Sequence, residues 1–228
     1  MKVEFPTAVV STAVVSTTGV FVTGTGTGVG KTVIAACLVR AWSASYWKPV
    51  QTGLADEEGD SATVVSLARL PPDRLIPPRH VFKASLAPHD AASLEHTAIS
   101  LADFVLPATA NTPMVVEGAG GVLVPLTNDT LVVDLMLRLG LPALVVAGTG
   151  LGTINHTLLT LEAIRSRGVP LVGVILNGPP NAGNRAAIER YGRVRIIAEV
   201  PPLNPLNPAA VTRIAAEQIP SLASLIRP

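Results

Sequence analysis

Gly24-Thr25-Gly26-Thr27-Gly28-Val29-Gly30-Lys31-Thr32 follows the apolar run Val20 to Thr23 and opens a helical stretch reaching about Ser43. A strand, a glycine-rich turn and a helix in that order make a cradle for phosphate. Glycines let the backbone curl so that several N–H groups point inward, and the helix N-terminus adds its partial positive charge. In such a cradle the lysine, here Lys31, reaches the β and γ phosphates, and the Thr32 hydroxyl holds Mg2+. The usual pattern leaves four residues between its first glycine and the Gly-Lys pair. Counted from Gly24 there are five, and Thr25 stands at the usual glycine position.

Downstream of that helix, Ser45 to Val50 is predicted as a second strand, carrying Lys48-Pro49-Val50-Gln51-Thr52-Gly53 at its end. A lysine there points toward the phosphate site, where a fixed cation stabilises a transferring phosphoryl group. By itself a strand-end lysine is more often a solvated surface charge. Its place one strand–helix unit after the phosphate loop favours the functional role. Met114 to Glu117 is an apolar strand ending in a carboxylate before Gly118, Ala119, Gly120 and Gly121. An acid at that strand end can meet Mg2+ near the Thr32 hydroxyl, and one or two carboxylates suffice for that ion. Asp60, opening a helix after Gly59, is a second oxygen ligand or simply a helix N-cap.

The rest of the chain repeats the alternation. Strands are predicted at Ala143 to Ala147, Leu171 to Leu176 and Val194 to Ala198. Helices are predicted at Asp60 to Arg69, Thr130 to Leu139, Thr153 to Arg167 and Asn184 to Tyr191, with another at the C-terminus. The Pro71-Pro72 and Pro77-Pro78 pairs mark a connection that neither a helix nor a central strand tolerates. This order predicts a single α/β domain over 19–228, a doubly wound, mostly parallel sheet of the P-loop NTPase type, with ligands at the carboxyl ends of its strands. Residues 1–18 hold a tandem TAVVS and are expected to be a frayed extension or an extra edge strand. They make a poor secretory signal.

Composition narrows the function classes. Apolar residues are 48% and charged ones 14%, which suits strands buried on both faces and excludes a disordered chain. Seventeen basic against sixteen acidic side chains give a net charge of +1 without a basic cluster, so nucleic acid is not an expected partner. No stretch has the roughly 18 apolar residues of a membrane span. The single cysteine, Cys37, lies in an apolar helical stretch and is expected to be a core residue, in keeping with a reducing, cytoplasmic setting. His80, His89, His96 and His156 show no metal-ligand spacing, although His89 falls in a loop expected to line the cleft.

GTGTGVGKT, WKPVQTG, GDSA, VEGAGG, GLGTINH and VILN, taken in that order, resemble the dethiobiotin synthetase family from about Val20 to Pro201. The five-residue interval in the phosphate loop is that family's own form. The resemblance implies an ATP-dependent ligase of biotin synthesis that joins 7,8-diaminononanoate and CO2 into dethiobiotin, releasing ADP and phosphate. An amine traps CO2 as a carbamate, whose oxygen attacks the γ-phosphate. The neighbouring amine then opens the carbamic–phosphoric anhydride.

Position by position, the resemblance makes Lys48 and Lys31 the catalytic cations and Thr32, Asp60 and Glu117 the magnesium ligands. It puts the nucleotide against Gly28, Val29, Gly30, Lys31, Thr32 and Val33, and against Asp60, Glu117, Gly118, Ala119 and Gly120. Asn177 matches the adenine-reading residue, and Glu199, Val200 and Pro201 a further part of the base pocket. Thr27 and Thr52 match groups near the carbamate and diamine. Thr153 and Asn155 match a loop that takes the substrate carboxylate across a homodimer interface. In this chain the interval between Lys31 and Lys48 is shorter than usual, and Gly26 stands where many members have an acid. Two other readings share the phosphate loop. A glutamine-dependent synthase of cobyrinate chemistry needs a glutaminase domain, for which 228 residues leave no room. A partitioning-type ATPase switch usually carries a second lysine early in its loop, where this chain has only threonine and glycine.

Overall fold

The computed structural model describes residues 19–55, 58–108 and 113–226. The expectation for residues 1–18 lies outside them.

Nine strands and eight α-helices alternate among the described residues. Strands β1 (Gly19–Gly24), β2 (Ser45–Trp47), β4 (Leu75–Ile76), β6 (Met114–Gly121), β7 (Ala143–Gly148), β8 (Leu171–Asn177) and β9 (Ile196–Val200) form one sheet. Its order is β4-β2-β6-β1-β7-β8-β9 and every neighbouring pair is parallel. The remaining strands, β3 (Val50–Gln51) and β5 (His80–Val81), pair with each other in a small second sheet. The helices are α1 (Lys31–Trp42), α2 (Asp60–Ala68), α3 (Pro88–Leu94), α4 (Val132–Leu139), α5 (Thr153–Ser166), α6 (Ala182–Gly192), α7 (Pro208–Glu217) and α8 (Leu222–Leu225). The parallel α/β sheet is thus the one the sequence predicts.

Alternation along the strands builds the two halves of the core. Val20 and Val22 of β1, Tyr46 of β2 and Val115 of β6 pack with α1, α2 and α7, whereas Phe21, Trp47 and Val116 pack on the opposite face with α4, α5 and α6. Six consecutive residues of α1, Ile34 to Val39, are buried, as suits a helix wedged between the sheet and α2 and α7. Cys37 is among them, fully buried, and burial pushes its thiol up to about 12. No described helix is long and apolar enough to cross a membrane.

Several boundaries differ from expectation. The second strand breaks at Lys48-Pro49. Proline has no N–H to give the ladder, and the Pro49 carbonyl turns to accept from the Arg79 and His80 amides at 2.8 and 3.1 Å. Val50–Gln51 therefore leave the main sheet to meet β5. The proline-rich connection holds two two-residue strands and, further on, α3, with Pro88 in its first turn. The last strand starts at Ile196 rather than Val194, because Arg193 turns the chain in a left-handed conformation (φ 44°) after α6. Helix α4 starts at Val132, since Thr127 and Thr130 close a turn ahead of it through their hydroxyls, 2.8 Å apart.

β1 is central, and the chain steps to one side of it through β2 and β4, returns at β6, then crosses to β7. The carboxyl ends of β1 and β6 flank that reversal, where open parallel sheets leave a crevice for ligands.

Candidate active site

The turn from β1 into α1 is shaped by Gly30, the residue that caps α1. Its φ is 89°, and a Cβ there would stand 2.0 Å from the Asn177 amide nitrogen. Only glycine allows that approach, and through it Asn177 donates to the Val29 carbonyl at 2.9 Å. The Thr25 amide donates to the Val146 carbonyl of β7 at 3.0 Å, so the loop is held from β7 as well as from β8. No side chain caps α1 and its first turn has no acid, which leaves its leading N–H groups for an anion. The Lys31 ammonium donates back to the Gly26 carbonyl at 2.9 Å.

Facing the loop is a buried acid–base cluster. Glu117 stands midway along β6 on the α1 side, because the strand runs on through the glycines to Gly121 rather than ending at the acid; Asp60 begins α2, and Lys48 follows β2. The Lys48 ammonium lies 2.7 Å from Asp60 Oδ2 and 3.1 Å from Glu117 Oε1, and donates to the Gly118 carbonyl at 3.1 Å. The Thr32 hydroxyl is 2.6 Å from Asp60 Oδ1 and 3.1 Å from Glu117 Oε1. The Tyr46 hydroxyl donates to Glu117 Oε2 at 2.8 Å. Asp60 is not the N-cap of α2: Gly59 (φ 85°) holds that place, and the Asp60 carboxylate is spent on Lys48 and Thr32. The Gln51 side chain accepts from the Asp60 amide at 3.0 Å and so fixes where α2 begins.

Burial and neighbours set the charges. Burial alone would lower the Lys48 ammonium, but Glu117 and then Asp60 outweigh it and hold it above the ordinary lysine range. Burial would raise Asp60, yet Lys48 beside it, with the Thr32 hydrogen bond, holds it below the usual carboxylate range. Burial and then the nearby Lys48 charge lower Lys31. Burial and Glu117 push the Tyr46 phenol well up, so it stays a proton donor.

A cleft of about 830 Å³ opens over this cluster. Of the predicted residues, Thr27, Gly28, Gly30, Lys31, Thr32, Val33, Lys48, Thr52, Asp60, Glu117, Ala119 and Gly120 line it. Val29 and Gly118 stand just behind the wall, engaged through their carbonyls with Asn177 and Lys48. Asn177 ends β8 beside Val200, one register step from Glu199, so these and Pro201 form a separate group on the far side of the loop. Glu199 there is paired with Arg185 at 2.8 Å. Thr153 and Asn155 open α5, outside the cleft; Gly152 is the cap, and Thr153 donates to the Gly148 carbonyl. The sequence reading missed Tyr46 and Gln51, and it missed the far wall, Ser85 to Pro88. His89 belongs to α3 next to that wall, with its ring 3.2 Å from Asp90.

A parallel sheet whose first strand feeds a lysine-threonine phosphate loop, opposed by an acid pair and a second lysine, defines a P-loop nucleotide-using enzyme. A sequence family described as "AAA domain" matches residues 18–210. The ATP-dependent dethiobiotin synthetase of Paramagnetospirillum magneticum is 53% identical over 85% of this chain and 92% of its own length. That of Afipia carboxidovorans is 43% identical, again over 85% of this chain and 92% of its own. The biotin biosynthesis bifunctional protein of Bordetella avium is 56% identical over 91% of this chain, which spans 44% of that longer protein. The chain belongs to the ATP-dependent dethiobiotin synthetase family.

Proposed function

We propose that this chain closes the ureido ring of 7,8-diaminononanoate with CO2 and ATP, giving dethiobiotin, ADP and phosphate. The observation that carries this reading is the convergence of Lys48, Thr32, Asp60 and Glu117 opposite the phosphate loop, in a chain 53% identical to a synthetase of that name. The partitioning-type switch has no comparable support.

The amides of Gly28 to Val33 would wrap the nucleotide phosphates, with Lys31 leaving the Gly26 carbonyl to meet the β and γ groups. Lowered by burial and by Lys48, the Lys31 ammonium gains most from an arriving phosphate. The Thr32 hydroxyl and the two carboxylates within 3.1 Å of it are the hard oxygen donors that suit Mg2+. Thr32, Asp60 and Glu117 would hold that ion, whose charge when bound offsets that of the terminal phosphates. Asn177, Glu199, Val200 and Pro201 would take the base; that places the base across the loop from the chemistry.

The diamine would enter beside Thr27 and Thr52. One amine adds to CO2 and loses a proton, giving a carbamate. A carbamate oxygen displaces ADP from the γ-phosphorus, and the second amine attacks the carbonyl and expels phosphate. Lys48, held protonated by Glu117 and Asp60, would offset charge on the transferring phosphoryl. No side-chain nucleophile is required, because positioning supplies the rate. Thr153 and Asn155 would receive the substrate carboxylate from a second copy of the chain. A hollow of about 420 Å³ beside Thr27, with exposed Leu123 and Leu159 on its rim, supports such a contact. The lone buried Cys37 fits a cytoplasmic enzyme.

The test is phosphate release by purified protein with MgATP and bicarbonate. Release that requires the diamine is the expected result. Diamine-independent hydrolysis stimulated by DNA or lipid would overturn the reading.

A further inference from the structure

Glu117 has two carboxylate oxygens, and only one of them faces the phosphate end of the cleft. Oε1 contacts Thr32 and Lys48, each at 3.1 Å, whereas Oε2 accepts a 2.8 Å hydrogen bond from Tyr46. Tyr46 is fully buried and lies behind the cleft wall rather than in it, so its hydroxyl is shielded from solvent.

The pairing of strands makes this contact. Tyr46 is in register with Val115, and Glu117 lies two residues further along β6, on the same face of the sheet. Diagonal neighbours of this kind are within reach of a long aromatic side chain. A phenylalanine would fill the same space among Val20, Val22, Ile34 and Val64. The hydroxyl is therefore superfluous for packing, and its one partner is the carboxylate.

Carboxylates that bind a metal are commonly fixed by hydrogen bonds from a second row of residues. We propose that Tyr46 is a positioning residue: its hydroxyl engages Oε2 of Glu117, so that Oε1 alone is offered to a divalent cation beside Thr32 and Asp60. The inference rests on the magnesium assignment above. Without the hydroxyl, both Glu117 oxygens are free to turn onto Lys48, which draws the acid away from the cation position and the ammonium away from the phosphate.

The experiment compares wild type with Tyr46→Phe, measuring Mn2+ binding to the ADP-loaded protein by electron paramagnetic resonance, with no diamine present. The dissociation constant should rise on the order of tenfold or more, and the Mg2+ needed for half-maximal turnover should rise in parallel, while saturating Mg2+ recovers much of kcat. A folded Tyr46→Phe protein with wild-type Mn2+ affinity overturns the proposal. A second readout uses the unmutated sequence. It has two tyrosines, Tyr46 and the exposed Tyr191, so 3-fluorotyrosine labelling gives two fluorine resonances. The buried one should move when Mg2+ is added to the ADP complex, and a resonance indifferent to the ion would refute the link. Because neither binding measurement uses diamine, they succeed or fail independently of the synthetase reaction.

Discussion

Replacing Lys48 with methionine keeps most of the length of the side chain and removes its charge together with its N–H donors. In the parent, that ammonium lies between Asp60 and Glu117, with side chains 5%, 31% and 0% exposed respectively. Deleting one partner of a buried ion pair costs about 3–5 kcal/mol, because the other charge is left uncompensated. Here Glu117 keeps its Tyr46 and Thr32 donors, and Asp60 is partly solvated, so the low end, about 3 kcal/mol, applies. In a chain of this size each kcal/mol moves the melting temperature by about 2–4 °C, which gives a fall of about 6–12 °C. The same vacancy should strengthen the response to metal. Melting curves by circular dichroism, with chelator and then with Mg2+, should show Lys48→Met regaining most of its loss while the parent moves little. Turnover should be abolished while ATP still binds. A variant that melts within about 2 °C of the parent in chelator, or that gains no more from Mg2+ than the parent does, would show that the Lys48 charge does not hold this cluster together.

Other outcomes follow from the same geometry. Asp60 has a depressed carboxyl: its contribution is present above the unfolded value of about 3.9 and is lost as pH falls through the folded one. Asp60→Asn should therefore lower urea midpoints at neutral pH and make their decline on acidification less steep; parallel curves would contradict this. At the alkaline end Lys48 behaves oppositely, its raised value keeping its contribution intact up to the ordinary lysine range and losing it only above. Gly30→Ala forces a left-handed residue worth about 1–2 kcal/mol and drives a methyl into Asn177, so nucleotide affinity should fall at least tenfold by calorimetry. Cys37, buried and with its thiol raised to about 12, should resist alkylation in the native protein and react on unfolding.

The phosphate loop was legible because glycines followed by Lys31-Thr32 between a strand and a helix leave few other uses for that pattern. Glu117 was legible as an acid between an apolar run and glycines, although the strand does not end there but continues to Gly121. Asp60 stayed divided between ligand and cap, since local sequence cannot say that Gly59 takes the cap and frees the carboxylate. Tyr46 was hidden because a tyrosine in an apolar strand has the pattern of core, and its contact with Glu117, 71 residues away in the chain, depends on the register between two strands. Gln51 and the Ser85 to Pro88 wall were hidden likewise. They reach the cleft only because Pro49 diverts Val50–Gln51 into a second sheet, an event of long-range pairing.

In the proposed reaction a carbamate oxygen, and not water, attacks the γ-phosphate above Lys48. Supplying oxygen-18-labelled CO2 with MgATP and diamine, before exchange with water, and analysing the released phosphate by mass spectrometry tests this directly. The released phosphate should acquire one labelled oxygen per turnover. Unlabelled phosphate, formed at the rate of dethiobiotin, would contradict it.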